Sequence, residues 1–332
     1  MQVSVVGGAG FVGAHLVRDL CAAGAKTLVL DSRELAPGQG DQPGVAEKLA
    51  YRRRQLLSNA EIVRCDVSEK TCAAQALDGK EIDCLYYLAA LPVVHLANQN
   101  YVEAADSMIR GLINCLEIAR ESKSVRRFVY VSSSMVYGSF TQNPLPETAA
   151  TAPTNLYGGF KLAGETLTRA YLGNTDIESV IIRPTGVYGP TGLNNTVVQT
   201  FCETAIAGGV LEARDARDTF IDFTWVEDLT AGLAQAGLVP GIGGETFNLS
   251  FGRARSLSEL VEMVVAAQPG TRVLFAAEHD RTRPRRGGAL DIAKARERLG
   301  YAPQVDLEAG VLRYLEFLRG GVSRPRAGAS YA

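Results

Sequence analysis

A glycine loop near the start of the chain constrains the fold more than any other feature. The apolar run Val3–Val6 leads directly into Gly7–Gly13, which reads GGAGFVG, and a helical pattern follows. A strand, a G-x-x-G-x-x-G turn and a helix in this order are typical of the first unit of a dinucleotide-binding sheet. In such a unit Gly7 permits the turn, Gly10 lets backbone amides approach a pyrophosphate, and Gly13 allows close helix packing.

Short apolar runs alternate with longer helical patterns along the chain. Strands are predicted at Gln2–Val6, Thr27–Leu30, Glu61–Cys65, Ile82–Leu88, Arg127–Val131, Glu178–Ile182 and Thr246–Leu249. Helices are predicted near 11–23, 45–58, 69–77, 98–122, 156–172 and 227–237. This alternation predicts an α/β fold with a doubly wound parallel sheet, a Rossmann architecture, whose ligands bind at the carboxyl ends of the strands.

The alternation of strands and helices becomes less regular after Pro184, where glycine and proline interrupt it. Helices are predicted in this part near 196–208, 256–267 and 306–319. We interpret this part as a smaller, interleaved substrate-binding lobe. The predicted domains are therefore 1–184, with 222–250 returning to it, as the dinucleotide-binding domain, and 185–221 with 251–319 as the lobe. Residues 320–332 are rich in Gly, Ser, Arg and Ala and are expected to be disordered.

Composition excludes several classes of partner. A formal net charge of −2 argues against nucleic acid and anionic membranes. No stretch reaches the roughly 18 apolar residues that span a bilayer, and the first residues form a strand rather than a signal peptide. The run Tyr51–Arg54 is expected to be a solvated helix face. Scattered cysteines and three histidines predict no metal site and a cytoplasmic protein.

Two acidic residues follow predicted strands where a cofactor's adenosine would lie. Asp31 ends the second strand, and its carboxylate can accept hydrogen bonds from ribose hydroxyls, which favours NAD over NADP. A cap or turn is the structural alternative, and Arg33 could instead pair with a 2′-phosphate. Asp66 and Val67 follow the third strand beside the expected adenine, although Asp66 could equally cap the next helix.

Tyr157 and Lys161 place a phenol and an ammonium on one face of a predicted helix. An unperturbed phenol titrates near 10 and is a poor base at neutral pH. A nearby ammonium and an oxidised nicotinamide would both lower that pKa, and Lys161 can also hold the nicotinamide ribose. The spacing occurs by chance in many helices, so its weight depends on the glycine loop and on the serines described next.

Ser132–Ser134 close the fifth predicted strand. A hydroxyl here could hydrogen-bond to a substrate alcohol or carbonyl, while the other two could cap backbone groups or contact the cofactor. A strand-end turn without chemistry is the alternative.

A set of motifs occurs in order along the chain. They are Gly7–Gly13, Leu88-Ala89-Ala90, Val131–Gly138, Tyr157–Lys161 and Arg183–Pro190. With these motifs the chain, over residues 1–319, resembles the extended short-chain dehydrogenase/reductase family, specifically its nucleotide-sugar epimerases and dehydratases. The resemblance implies tightly held NAD, a nucleoside-diphosphate sugar as substrate, and a homodimer built from helices 98–122 and 156–172. It also implies Ser133 as the catalytic hydroxyl, beside Tyr157 and Lys161.

The site residues expected on this basis fall into two groups. The cofactor would contact Gly7, Gly10, Phe11, Val12, Gly13, Asp31, Asp66, Val67, Leu88, Ala89, Ala90, Tyr157, Lys161 and Pro184. The substrate would contact Ser133, Ser134, Met135, Tyr157, Arg217 and Arg281.

The chain departs from the family pattern around the substrate. The 4,6-dehydratases carry an Asp-Glu pair where Ser134 and Met135 stand, and a thioether cannot abstract a proton. Three further positions that resemble substrate contacts in the family also differ: Met108 and Gly186 replace asparagines, and Ile221 replaces an arginine. These contacts are expected to be rebuilt around arginines that could equally be surface charges, namely Arg217, Arg281 or Arg286.

The resulting prediction is an NAD-dependent nucleotide-sugar epimerase acting at C4 through a transient 4-keto sugar. A dehydratase or ketoreductase of the same family is the nearest alternative. A nucleotide-binding regulator without turnover is a more distant one, because binding alone does not require a phenolate.

Overall fold

A computed structural model describes residues 1–32, 43–91, 97, 99–213, 216, 219–275 and 286–322. Its centre is a seven-stranded parallel sheet. The strands of this sheet are β1 (Gln2–Val6), β2 (Lys26–Asp31), β3 (Glu61–Arg64), β4 (Cys84–Tyr87), β5 (Arg127–Val131), β6 (Glu178–Pro184) and β11 (Thr246–Leu249). They lie in the order β11-β6-β5-β4-β1-β2-β3. This order reverses beside β1, so the glycine loop sits at the switch point where doubly wound sheets bind ligands.

Helices cover both faces of the sheet because its strands are apolar on both sides. The helices are α1 (Phe11–Ala22), α2 (Pro43–Tyr51), α3 (Lys70–Leu77), α4 (Tyr101–Ala105), α5 (Gly111–Glu121), α6 (Leu156–Leu172), α7 (Val197–Ile206), α8 (Val226–Leu238), α9 (Leu257–Ala267), α10 (Ala293–Leu299) and α11 (Leu307–Phe317). Wider helical turns extend α2 over Arg52–Leu56, join α4 to α5 over Asp106–Arg110, and extend α11 over Leu318–Val322.

Two apolar cores flank the sheet. On one side Val3 and Val5 of β1 pack in a core with side chains of α1 and α8, such as Leu16 and Leu229. On the other side Val6 packs with α3, α5 and α6, through residues such as Leu112. Successive β-strand side chains point to opposite faces, which is why one short strand contributes to both cores.

A third core holds the part of the chain after β6 together. It includes residues of α7, α9 and α11, for example Phe201, Leu260 and Tyr314. Short strands surround it: β7 (Val187–Tyr188), β8 (Val210–Ala213), β9 (Thr219–Asp222), β10 (Thr224–Trp225), β12 (Ala254–Ser256), β13 (Arg272–Phe275) and β14 (Arg286–Gly288). They form the sheets β10-β7, β12-β9-β14 and β13-β8.

The chain returns to the main sheet after entering this third core. Helix α8 packs on α1, and β11 then pairs in parallel with β6 at the sheet edge. Phe247 and Leu249 of β11 are fully buried in the same core as Val3 and Val5. One edge strand of the main sheet, β11, therefore comes from a part of the chain that follows the first segments of the third core in sequence.

The fold class predicted from the sequence is confirmed, and all seven predicted strands of the main sheet are present. The bounds of four strands differ from the prediction. The larger differences are that β4 is shorter than Ile82–Leu88 and that β6 runs on to Pro184. In addition, β2 is longer by one residue at each end and β3 is shorter by one residue than predicted. Predicted helix 98–122 is interrupted at Asp106–Arg110, and residue 98 lies outside the described part. The segment predicted as a tail from residue 320 begins inside the turn Leu318–Val322, and 323–332 lie outside the described residues.

In the described part of the chain, no helix is long and apolar enough to cross a bilayer. There, too, no three His, Cys, Asp or Glu side chains converge as metal ligands would. The six cysteines are free thiols.

Candidate active site

A cleft of about 740 Å³ lies along the carboxyl ends of the central strands. All the cofactor residues expected from the sequence line it, from Gly7 to Pro184, and so do the expected substrate residues Ser133, Ser134 and Met135. Arg217 and Arg281, the two remaining expected substrate residues, lie outside the described residues, as does Arg33. The sequence motifs are thus brought together in one cavity.

The glycine loop leaves no room for side chains beneath it. Gly7 has a φ of +78°, a left-handed conformation that favours glycine. A Cβ on Gly13 would lie 2.3 Å from the Gly7 carbonyl oxygen, whereas a Cβ on Gly10 would meet only that oxygen, at 3.0 Å. The loop is therefore packed against α1 and open toward the cleft, which fits a cofactor pyrophosphate at the helix start.

The Gly13→Ala variant tests this cradle. The new methyl group must displace the Gly7 carbonyl, so we expect a stability loss of about 1–3 kcal/mol and NAD affinity reduced at least about tenfold. Thermal unfolding and calorimetric NAD titration measure the two effects. Gly320→Ala is the matched control, because a Cβ there would meet nothing within 4 Å. Unchanged NAD affinity in Gly13→Ala would contradict the assignment of the loop.

The two acidic residues predicted beside the adenosine both line the cleft and both also brace backbone. Asp31 Oδ2 accepts a hydrogen bond of 2.9 Å from the Ala9 amide, which ties the end of β2 to the glycine loop. Asp66 Oδ1 accepts from the Ser68 amide at 3.0 Å and from its hydroxyl at 2.8 Å. The alternative of Asp66 as a helix cap is wrong, because Glu69 occupies the N-cap position of α3.

Helix α6 places Tyr157 in its first turn. Asn155 caps the helix, since its side-chain oxygen accepts a hydrogen bond of 2.9 Å from the Gly158 amide. Gly158 then lets the helix approach the turn after β5, because a Cβ there would lie 2.6 Å from the Met135 carbonyl oxygen. This close approach brings Tyr157 to Ser133.

Ser133 caps the turn that follows β5. Its hydroxyl accepts a hydrogen bond of 3.2 Å from the Met135 amide, as the cap of the turn Ser134–Val136. An interaction of Ser133 with the Tyr157 phenol acts to lower the phenol's pKa. Burial outweighs it and raises the pKa of Tyr157 to about 12. The lowered phenol pKa expected from the sequence is therefore not found in the protein alone.

Lys161 lies one helical turn beyond Tyr157 and is almost completely buried. Its ammonium donates a hydrogen bond of 2.7 Å to the Val131 carbonyl, and it lies 5.8 Å from the centre of the Tyr157 ring. Burial lowers the pKa of Lys161 to about 7, and the negative charge of Glu165 opposes this shift. The lysine thus depends on its surroundings to stay charged.

Glu165 is a residue of this site that the sequence reasoning missed. It is fully buried, and its two oxygens accept hydrogen bonds from Arg183 Nε at 2.8 Å and Nη2 at 2.7 Å. Ser132 donates a third bond, of 2.6 Å. The available signal was its spacing, since Glu165 follows Lys161 by one helical turn and therefore shares its face of α6.

Arg52 corrects a second expectation. Tyr51–Arg54 was predicted to be a solvated helix face, and Arg53 and Arg54 are indeed exposed. Arg52, however, is only 1% exposed and lines the cleft beside the glycine loop. Its guanidinium donates to the Ala9 carbonyl at 3.0 Å.

Four of the positions that depart from the family pattern line the cleft, namely Ser134, Met135, Gly186 and Ile221. Met108 instead lies in a small buried cluster against which Tyr157 packs. Most of the altered positions thus lie in the wall of the cleft, and Met108 lies in the cluster that packs against the Tyr157 ring.

A Rossmann sheet with a glycine loop and a Ser-Tyr-Lys set in one cleft defines a class of NAD-binding enzymes. The sequence profile of the NAD dependent epimerase/dehydratase family matches residues 3–249, and the chain belongs to this family. This confirms the family expected from the motifs, and NAD is the cofactor.

Individual relatives match over nearly the whole chain. The UDP-glucose 4-epimerase of Mycolicibacterium smegmatis is 30% identical over 329 residues, covering 96% of this chain and 99% of that protein. UDP-glucuronate 4-epimerase 5 of Arabidopsis thaliana is 28% identical over 340 residues, covering 96% and 76% respectively.

Solved structures agree on the fold. UDP-glucose 4-epimerase from Thermotoga maritima, crystallised with UDP-glucose, superposes with a TM-score of 0.84 at 23% identity, covering 97% of this chain and all of that one. MoeE5, solved with UDP-glucuronic acid and NAD, has a TM-score of 0.81 at 25% identity, covering 96% and 99%.

Proposed function

We infer that this protein is an NAD-dependent nucleotide-sugar 4-epimerase, an isomerase whose substrate is a UDP-sugar. The observation that carries the inference is the placement of Ser133, Tyr157 and Lys161 in the same cleft as the glycine loop. The two relatives above are named as UDP-sugar 4-epimerases, and MoeE5 was solved with a UDP-sugar and NAD.

The residues support a proton relay at the sugar's C4 hydroxyl. NAD would be held by the glycine loop and Asp31. It would accept hydride from C4 and return it, and its positively charged ring would favour phenolate. Tyr157 removes the hydroxyl proton, and Ser133 hydrogen-bonds to the same oxygen and relays the proton. Lys161 stabilises the phenolate and holds the cofactor ribose. The resulting 4-keto sugar turns in the cleft, and Tyr157 gives the proton back on reduction, with no net redox change.

The described cleft favours epimerisation over dehydration. Loss of water from the sugar needs an acid and a base beside the catalytic hydroxyl, and Met135 offers only a thioether. The acidic residues that line the described part of the cleft are Asp31, Asp66 and Glu103. They stand at the ends of β2 and β3 and on α4, where the adenosine is expected, rather than beside Ser133.

Incubation with UDP-glucose and UDP-glucuronate in D2O, followed by proton NMR, tests the function. We expect the C4 stereoisomer to form with hydrogen retained on carbon and without added cofactor. Loss of water with deuterium entering at C5 or C6 would instead identify a dehydratase. Conversion that requires stoichiometric NADH would identify a ketoreductase, and no conversion of any sugar would favour a binding protein.

We propose the cofactor and substrate contacts expected from the sequence as the functional residues of this cleft. The division into an NAD-binding domain (1–184 and 222–250) and a substrate lobe (185–221 and 251–319) is proposed with them. Its support is the separate core of α7, α9 and α11.

We also propose that the enzyme is a cytoplasmic homodimer. Its cysteines are free thiols, as expected in a reducing compartment. Tyr101, Val102 and Leu156, which are 60%, 59% and 47% exposed, lie on the two helices that the family resemblance places in the dimer interface. Light scattering coupled to gel filtration measures the mass, and a monomer at micromolar concentration would contradict the proposal.

A further inference from the structure

Three consecutive backbone carbonyls after β7 each accept a hydrogen bond from a basic side chain near the glycine loop. The pairs are His15 Nε2 with Pro190 at 3.2 Å, Arg52 Nη2 with Thr191 at 2.5 Å, and Lys48 Nζ with Gly192 at 3.0 Å. The donors come from α1, from α2 and from the turn that extends α2. We call the segment 190–192 the held loop.

The held loop is kept in an unfavourable conformation. Thr191 is fully buried with a φ of +68°, a left-handed value that is rare for a β-branched residue. Such a conformation persists where the surroundings determine it strongly. The adjoining Leu193, Asn194 and Thr196 line the cleft and lead into α7. The position of the held loop therefore sets part of the cavity wall.

Arg52 also reaches the cofactor side. While Nη2 holds the Thr191 carbonyl, Nη1 donates to the Ala9 carbonyl at 3.0 Å, in the middle of the glycine loop. The Ala9 amide is in turn bound by Asp31. A guanidinium is planar and rigid, so displacement of one carbonyl is transmitted to the other.

The other two donors, His15 and Lys48, each bind one carbonyl of the held loop. Burial lowers the pKa of His15 to about 4, so the ring is neutral at physiological pH and donates through Nε2. Lys48 is paired with Glu203 of α7 at 2.5 Å. Both fix the held loop, and Arg52 joins it to the glycine loop.

We propose that Arg52 is a positioning residue that couples NAD binding to nucleotide-sugar binding. Bound NAD fixes the position of the glycine loop. Arg52, which is hydrogen-bonded to that loop, then fixes the position of the Thr191 carbonyl. The cleft wall from Leu193 to Thr196 is thereby held in the conformation that binds the substrate. The proposal rests on the proposed function for the identity of the second ligand. Coupling of this kind is reciprocal, so each ligand tightens the binding of the other by the same factor.

Calorimetric titration of UDP into the protein, with NAD bound and after NAD has been removed, measures the coupling. For the native protein we expect UDP to bind at least about fivefold more tightly with NAD present. In Arg52→Met that ratio should fall to about one, because both donors are lost. Arg53→Met is the matched control, since it removes an exposed arginine at the next position and should keep the native ratio.

The Arg52→Lys variant preserves the buried charge, but a lysine cannot reach both carbonyls. This variant should therefore bind NAD and UDP individually, and its UDP affinity should be the same with and without NAD. This variant decides the matter if Arg52→Met does not fold. A ratio of one in the native protein, or a native ratio in either Arg52 variant, would overturn the proposal. Because only binding is measured, these outcomes are independent of whether the protein is an epimerase.

Discussion

Tyr157→Phe will lower kcat by about 10²–10⁴-fold, the usual contribution of a positioned acid–base group. In the proposed mechanism the phenol hydroxyl exchanges a proton with the sugar, and Ser133 interacts with this hydroxyl. The ring itself remains, so packing against the cluster around Met108 is preserved. NAD and UDP should therefore bind as in the native protein, and the loss should appear in kcat rather than in KM.

Rates of C4 epimerisation measured by NMR, with calorimetric UDP binding, separate these effects. Tyr171→Phe is the matched control: it removes a phenol hydroxyl from the same helix, 14 residues further along, and its kcat should be unchanged. Retention of full activity by Tyr157→Phe would remove the catalytic assignment.

Glu165→Gln will reduce the free energy of unfolding by about 3–5 kcal/mol, as expected when one partner of a buried ion pair is removed. Arg183 is 5% exposed and would keep its charge without its main carboxylate partner. Glu61→Gln is the control, because the Glu61–Lys80 pair is largely exposed and its loss should cost less than about 1 kcal/mol.

Denaturant unfolding of both variants measures the difference. Adding Arg183→Met to Glu165→Gln should recover part of the loss, since the uncompensated buried charge is then removed. If Glu165→Gln is no less stable than Glu61→Gln, the buried pair does not hold the site together.

Glu165→Gln should also change the pH dependence of kcat/KM in a direction that the structure defines. Burial lowers the pKa of Lys161 to about 7, and the charge of Glu165 acts to raise it. The other groups around the ammonium are the Val131 carbonyl and the rings of Tyr130 and Tyr157. In the proposed mechanism Lys161 acts when protonated, so its contribution is present below its pKa and lost above it. In Glu165→Gln that pKa falls further, and the alkaline limb of kcat/KM should move to lower pH.

The parts of the fold that follow from the sequence are those in which local pattern and burial agree. Strands such as Arg127–Val131 are short, apolar and buried on both faces, so they can be recognised without knowing their neighbours. The strands around the third core could not be predicted. For example, Thr219–Asp222 is set by its pairing with Ala254–Ser256 and Arg286–Gly288, and only the folded chain brings these segments together.

The site shows the same division. The glycine loop and Tyr157 with Lys161 are recognisable because their chemistry needs a fixed local spacing. Glu165 and Arg52 were missed because their importance comes from distant partners, Arg183 and the Thr191 carbonyl. A charged residue in a helical pattern is mostly exposed, and only tertiary contacts reveal the exceptions.

The late position of β11 in the chain has a consequence for how the protein can be made. During synthesis, residues 1–184 leave the ribosome long before Thr246–Leu249, so β6 at first has an open edge. An unpaired apolar edge is a site of aggregation. A fragment ending at residue 184 would also lack α8 and the buried Phe247 and Leu249. We therefore expect chaperone dependence in the nascent chain, and aggregation of any fragment that ends before β11.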